Sequence, residues 1–334
     1  MTYSISDSYN TRFNIPKPDF PFTVGKQLQV RPHIPPPPPR NRFSAFLEND
    51  RRHERDFIDP VQRCLLHPPV LGPRGGLDSG VTELEIVRLV RAGDGHAAQL
   101  LAVRVLTSTN GLLPDMNLLA KLYDPLYFDH EQDDVDPFLA VYRAHTRECA
   151  VYKKVADLQG SVIPKFYGSF TLSLPVSQTY TREVRLILME IVPGLSMDHL
   201  SPSNFKKSER QAIMKSIIDS ETALYNRDIN DRDIHPRNIL VVSEESNRDE
   251  KVVVVDFGSA WTSRSKYPDR EQGSLPRVPI SPLLRWIVPP EELKPWIDWD
   301  WKVWVERQYE HTKDSITEYM QRRWAGGIFE GPEA

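Results

Sequence analysis

Between Asn230 and Leu240 the chain runs Asn-Asp-Arg-Asp-Ile-His-Pro-Arg-Asn-Ile-Leu, and Pro236 prevents this stretch from continuing as one helix. Its polar side chains are therefore expected on a rigid loop. Two β-branched runs follow, Ile239 to Val242 and Lys251 to Val255, separated by the charged and polar segment Ser243 to Glu250. That pattern predicts a hairpin. Its second strand ends on Asp256, carried back beside the loop where the first began. Asp233, Asn238 and Asp256 are thus expected to converge, and three oxygen ligands with no sulfur or imidazole suit Mg²⁺ that also binds phosphates.

Asp231-Arg232-Asp233-Ile234 through Asn238, followed by Asp256-Phe257-Gly258, resembles the protein-kinase-like superfamily, whose catalytic loop reads H-R-D-L-x-x-x-N and whose metal turn reads D-F-G. Asp231 stands where that family has His. His235-Pro236 is similar to choline kinases and aminoglycoside phosphotransferases, and Ile234-His235-Pro236-Arg237-Asn238 also resembles a kinase-like family of fungi. The resemblance implies an α+β, two-lobed protein-kinase-like fold with a small β-rich N-lobe and a mainly helical C-lobe. It covers roughly residues 81–325, with an N-lobe over 81–193 and a C-lobe over 194–325, leaving 326–334 as a tail.

At 334 residues and 40% hydrophobic content the chain can bury a sizeable core. A net charge of −4 and a pI near 6.2 give no global attraction to nucleic acid or to acidic membrane. Cys64 and Cys149 are too few for a disulfide framework or a cysteine-based zinc site. No apolar signal region and no run approaching a membrane span is present. The expectation is a soluble, intracellular protein with no nucleic-acid or membrane partner.

Residues 1–80 hold 13 of the 29 prolines and read as a largely disordered tail. Pro35 to Pro39, with Arg40, forms a polyproline pattern that fits either a stiff spacer or a ligand for an SH3- or WW-type partner. Phe43, Phe46 and Leu47 share one face at helical spacing. Val81 to Arg91 and Gln99 to Leu106 predict a hairpin joined through Gly93-Asp94-Gly95-His96. Gly93 and Gly95 fit an ordinary turn or, in the resemblance, part of a phosphate-covering loop. Asn117 to Tyr123 is a further strand bearing Lys121, which the resemblance makes the residue that grips the α- and β-phosphates.

Asp136-Pro137 is a helix start, and the helix is expected to reach Leu158 before Gly160. Glu148, Val151, Val155 and Leu158 share a face, which places a carboxylate on the buried stripe, where it needs a partner. Lys121 is the candidate; the alternative is a solvated Glu148 at the margin of the stripe. The strand from Arg185 leads into Met189-Glu190-Ile191-Val192-Pro193-Gly194. In the resemblance the backbone near Glu190 and Val192 binds the adenine edge and Met189 limits pocket depth. Ser208-x-x-Gln211 is a capping box opening a helix through Leu224, the tryptophans from Trp286 to Trp304 read as packing residues, and Glu306 to Arg323 reads as a final helix.

The function that follows from the resemblance is transfer of the ATP γ-phosphoryl group to a hydroxyl acceptor, protein or small molecule, with ATP and Mg²⁺ required. In it Asp233 is the base, Asn238 and Asp256 hold the metal, Glu148 steadies Lys121, and His235 approaches the γ-phosphate. His235-Pro236 and the short stretch after Gly258 favour a small-molecule acceptor; Arg232, Phe257-Gly258 and Glu291 of Pro289-Pro290-Glu291 favour a protein. The alternative is a catalytically weak kinase-like binding scaffold, or pseudokinase.

Overall fold

Strand β1 (Gln27–Pro32) lies within the proline-rich first 80 residues and pairs antiparallel on both of its sides. The computed structural model describes residues 18–39, 52–72, 80–128, 135–242, 251–265 and 272–327. Arg40, Phe43, Phe46, Leu47, the connection 243–250 and residues 328–334 lie outside these. By contact the chain divides into two units, Met1–Thr146 with Tyr167–Met189, and Arg147–Phe166 with Glu190–Ala334. Among the described residues no helix is long and apolar enough to cross a membrane.

The first unit is built on strands β2 (Thr82–Arg91), β3 (Gln99–Ser108), β4 (Asn117–Tyr123), β5 (Phe166–Pro175) and β6 (Thr181–Glu190), together with β1. Hydrogen bonding runs β1-β2-β3-β4-β6-β5 and returns to β1, so the sheet is a closed barrel. Strand alternation explains its filling, because every second side chain points inward. Leu84 and Ile86 of β2, Leu101, Val103 and Val105 of β3, and Leu118, Ala120 and Leu122 of β4 meet Leu28 and Val30 of β1 in one buried core.

This closure overturns the expected two-lobed, protein-kinase-like fold. The strands foreseen as a small N-lobe sheet do not form it; β1 takes up both free edges, setting Leu28 against Leu84 of β2 and Val30 against Leu172 of β5. Full closure leaves no edge strand to manage. The expected hairpin through Gly93 and Gly95 is present as β2 and β3.

More of the N-terminal region is fixed on this unit. Phe20 packs edge-on against Phe22 and Tyr127, and the Tyr127 hydroxyl donates to the carbonyl of Asp19 at 3.1 Å. Helix α1 (Pro60–Leu66) is capped by Asp59, whose carboxylate accepts from the amides of Val61 and Gln62. Beneath it, Arg182 forms a buried pair with Asp124, with a second contact at 2.7 Å. Gly72 passes against the chain at Ile34, where an added Cβ would lie 1.8 Å from the Ile34 carbonyl oxygen. Gly72→Ala therefore forces the segment after β1 to shift and lowers stability by about 1–3 kcal/mol. Urea unfolding measures this, and an unchanged midpoint would refute the close approach.

In the second unit, helix α2 (Pro137–Lys154) supplies its last two turns; Asp136 caps its start through the amide of Phe138 at 2.9 Å, as expected. The helix stops at Lys154, short of the foreseen Leu158, and a 3₁₀ turn over Ala156–Leu158 leads to Gly160 in the left-handed region. A short sheet follows, β7 (Leu195–Ser196), β8 (Ile239–Val242) and β9 (Lys251–Val254), in the order β7-β8-β9. Helix α3 (Lys207–Tyr225) begins two residues earlier than the predicted capping box, because the Lys206 amide donates to Glu209 rather than Ser208 capping through Gln211.

Ile213, Met214, Ile217 and Ile218 of α3 pack with Ile239, Val241 and Val252 and with Trp286, Trp296, Trp301 and Trp304, so the tryptophans are core. Between α3 and α4 (Pro282–Arg285), buried Glu221 holds Arg285 at 2.6 Å and accepts from the Trp286 indole. The single helix foreseen over Glu306 to Arg323 is instead α5 (Trp301–Tyr309), a 3₁₀ segment over Glu310–Ser315 and α6 (Glu318–Arg323). Thr312 and Ser315 hydroxyls donate to the carbonyls of Tyr309 and Thr312, competing with the helical ladder, and Thr317 caps a new start.

Candidate functional site

The register of the second unit's sheet sets the site. Ile239 pairs with Val254, and the Val255 amide donates to the carbonyl of Asn238 at 2.9 Å, so the residues just before β8 and just after β9 are tied together. Asn238 is buried, and its side-chain nitrogen donates at 3.0 Å both to Oδ2 and to the main-chain carbonyl of Asp233. With its nitrogen used in this way, Asn238 has Oδ1 to offer a hard cation. The Asp233 side chain is 30% exposed, and its other oxygen, Oδ1, accepts from Arg237 at 2.6 Å. Two donors thus fix the orientation of this carboxylate.

His235 opens the 3₁₀ turn Pro236–Asn238, and its Nδ1 accepts from the Arg237 amide at 3.3 Å. That bond leaves Nε2 to carry the ring proton of the neutral imidazole. Asp256 adopts φ 67°, ψ 74°, a left-handed conformation, and its Oδ1 accepts from the Gly258 amide at 3.4 Å. A β-carbon is strained there, and such strain persists only where the surroundings impose it. Phe257 is fully buried edge-on to Tyr152, which stacks on Phe166 at 4.9 Å.

Tyr152 was not singled out from the sequence, yet it lies among three residues that were. Burial raises its hydroxyl well above the usual phenol range, and the charges of Glu148, Asp256 and Glu190 push the same way. Glu148 is fully buried one turn earlier on α2. Glu190 is tied to the chain at Lys165: its amide donates to the Lys165 carbonyl and its Oε2 accepts from the Lys165 amide, both at 2.9 Å. Val192 accepts from the Gly194 amide through its carbonyl.

Asp231 is a second residue whose part was missed. Its Oδ1 accepts from the Asp233 amide at 3.1 Å, so it shapes the loop directly. Burial, aided by the charges of Asp233, Glu221 and Asp256, raises its carboxyl to about 7, although the Asp233 amide opposes the shift. Its Oδ2 has no partner among the described residues, and Asp231 lines, with Asp233 and Asn238, a cavity of about 10 Å³, room for about one water. The acidic character was readable in the sequence; its burial was not. The Arg237 contact had a signal, an opposite charge four residues after Asp233.

The remaining expected residues belong to the barrel unit. Lys121 lies on the outer face of β4 but is 5% exposed, with its ammonium 5.7 Å from the Tyr123 ring centre. Met189 is buried near the end of β6. Gly93 and Gly95 have positive φ, as a tight turn requires. The Gly93 amide donates to Gln99 Oε1 at 2.7 Å and the Gly95 amide to the Tyr127 carbonyl at 2.8 Å, so both are already engaged. The structure therefore brings Asp233, His235, Asn238 and Asp256 onto one loop and sheet end, with Glu148 and Glu190 about Tyr152; Lys121, Met189, Gly93 and Gly95 are in the other unit. No protein-family model matches the chain, and no curated protein matches its sequence.

Proposed function

We propose that the chain is an Mg-ATP-dependent phosphotransferase that moves the γ-phosphoryl group to a hydroxyl acceptor. The observation that carries this reading is the bonded set Asp233–Asn238 with Asp256 returned beside it in a strained left-handed turn. Asn238 Oδ1 and the Asp256 carboxylate are the oxygens suited to hold Mg²⁺, which would neutralise phosphate charge. Asp233 orients the acceptor hydroxyl and takes its proton as the new P–O bond forms and ADP leaves. Arg237 holds the unliganded carboxylate in place and must yield Oδ1 to the incoming hydroxyl. His235 presents Nε2–H as a donor to a phosphate oxygen. The role given to Lys121 rests on the resemblance alone.

The occupied amides of Gly93 and Gly95 favour a second reading, a catalytically weak binding scaffold. Thermal unfolding with and without Mg-ATP separates the two, since a ligand bound only by the native state must stabilise it. At a nucleotide concentration about 100-fold above Kd the gain is about 2.7 kcal/mol, and Asp256→Ala removes most of it. No shift in the unaltered protein would favour the scaffold.

A further inference from the structure

The barrel unit contains a cavity of about 300 Å³ that the proposed phosphotransfer does not use. Pro36 and Pro39, from the segment after β1, form part of its wall; Tyr123, Phe138, Leu139 and Tyr142 form much of the rest. Val70 at its margin is half-exposed, so the cavity has a solvent-facing rim. The chemistry is that of a small-molecule site, apolar and aromatic over most of its surface, with His67, His145 and Arg185 as its basic lining groups.

The polar group that matters is Arg185. It lines the cavity yet is only 5% exposed. Its guanidinium donates through Nη1 to the Thr171 hydroxyl and through Nη2 to the carbonyls of Pro69 and Val70, at 3.4 and 3.2 Å. Its Nε has no partner among the described residues. Glu183 is 3.5 Å away and 44% exposed, a weak counter-charge. Burial lowers the Arg185 pKa, with only Glu183 opposing. The same guanidinium borders a second cavity, of about 540 Å³, where Lys26 and Arg31 add positive charge against Glu183. A buried cation in such company favours an anionic ligand.

We propose that the smaller cavity binds a small aromatic monocarboxylate, with its ring among Phe138, Leu139 and Tyr142 and its carboxylate on Arg185. Size sets the class. An apolar cavity of ~150 Å³ takes up benzene, so this one accommodates a bicyclic ring bearing one acid group. The anion supplies the counter-charge that Glu183 provides only in part, and the rings bury apolar surface against side chains already in place.

Calorimetric titration with 2-naphthoate and with its neutral isostere 2-naphthamide tests this on the unaltered protein. Saturable one-to-one binding of the carboxylate is expected, about tenfold or more tighter than the amide, the order of one charge-assisted hydrogen bond. Equal binding of the two, or no binding of naphthoate, overturns the proposal. In Arg185→Gln the preference for the acid disappears while the amide binds as before. Because Arg185 also holds the 69–70 carbonyls, Leu139→Trp provides a second variant that fills the cavity from another wall. It abolishes naphthoate binding, and full retention of affinity would place the ligand elsewhere and refute the assignment.

Discussion

On the proposed phosphotransferase reading, Asp233→Asn is expected to lower turnover of Mg-ATP by about 10²- to 10⁴-fold, the range lost when a general base is removed. Hydrolysis, with water as acceptor, would supply the rate to measure before any acceptor is known. The substitution removes the proton acceptor and also turns one amide donor toward Arg237 or Asn238, both already donors to this side chain. Arg237→Gln separates these effects, since it releases Oδ1 while leaving the carboxylate intact. If Asp233→Asn hydrolyses Mg-ATP at the unaltered rate, Asp233 is not the base. Affinity for the nucleotide should change little, because Asp233 is assigned to the acceptor rather than to the phosphates or metal.

Asp231→Asn should stabilise the protein, but only above the pH at which the carboxyl of the unfolded chain ionises. With a folded value of about 7 against an unfolded value near 3.9, both states are protonated below about pH 4 and the residue contributes nothing to pH dependence. Between about pH 4 and 7 the unfolded chain loses its proton while the folded chain keeps it, so stability falls as pH rises. Above about pH 7 the penalty is fully developed, on the order of 4 kcal/mol at 1.36 kcal/mol per pH unit. Asparagine retains an oxygen for the Asp233 amide and does not ionise. Melting temperatures of variant and unaltered protein should therefore coincide near pH 4 and diverge by pH 8, with the variant higher. A difference that stays constant across that range would mean that Asp231 does not titrate as a buried acid.

The loop and its hairpin were legible because local chemistry decides them. Pro236 excludes a helix, β-branched runs on either side of a polar segment favour pairing, and the structure places β8 and β9 over the predicted runs. The start of α2 was legible for the same reason, an acid before proline. The glycine turn was readable as a turn, but the engagement of its amides by the Gln99 side chain and the Tyr127 carbonyl depends on tertiary geometry that spacing does not encode. The barrel was not legible. Gln27–Pro32 has only Leu28 and Val30 as inward-facing apolar residues, and a run that short among prolines resembles linker more than strand. Its partners in β2 and β5 are remote in sequence, so no local pattern announces that they have room for a sixth neighbour.

That strand also shapes how the chain reaches its structure. Pairing Val30 with Leu172 closes a loop over most of the first half of the chain, and such non-local contacts form only after the loop-closure entropy has been met. The β2–β3 hairpin needs no such search. Until β1 docks, one side of β2 and one side of β5 are open templates for another chain's backbone. The proline-rich beginning, which looks dispensable by composition, is therefore what removes the barrel's aggregation-prone edges.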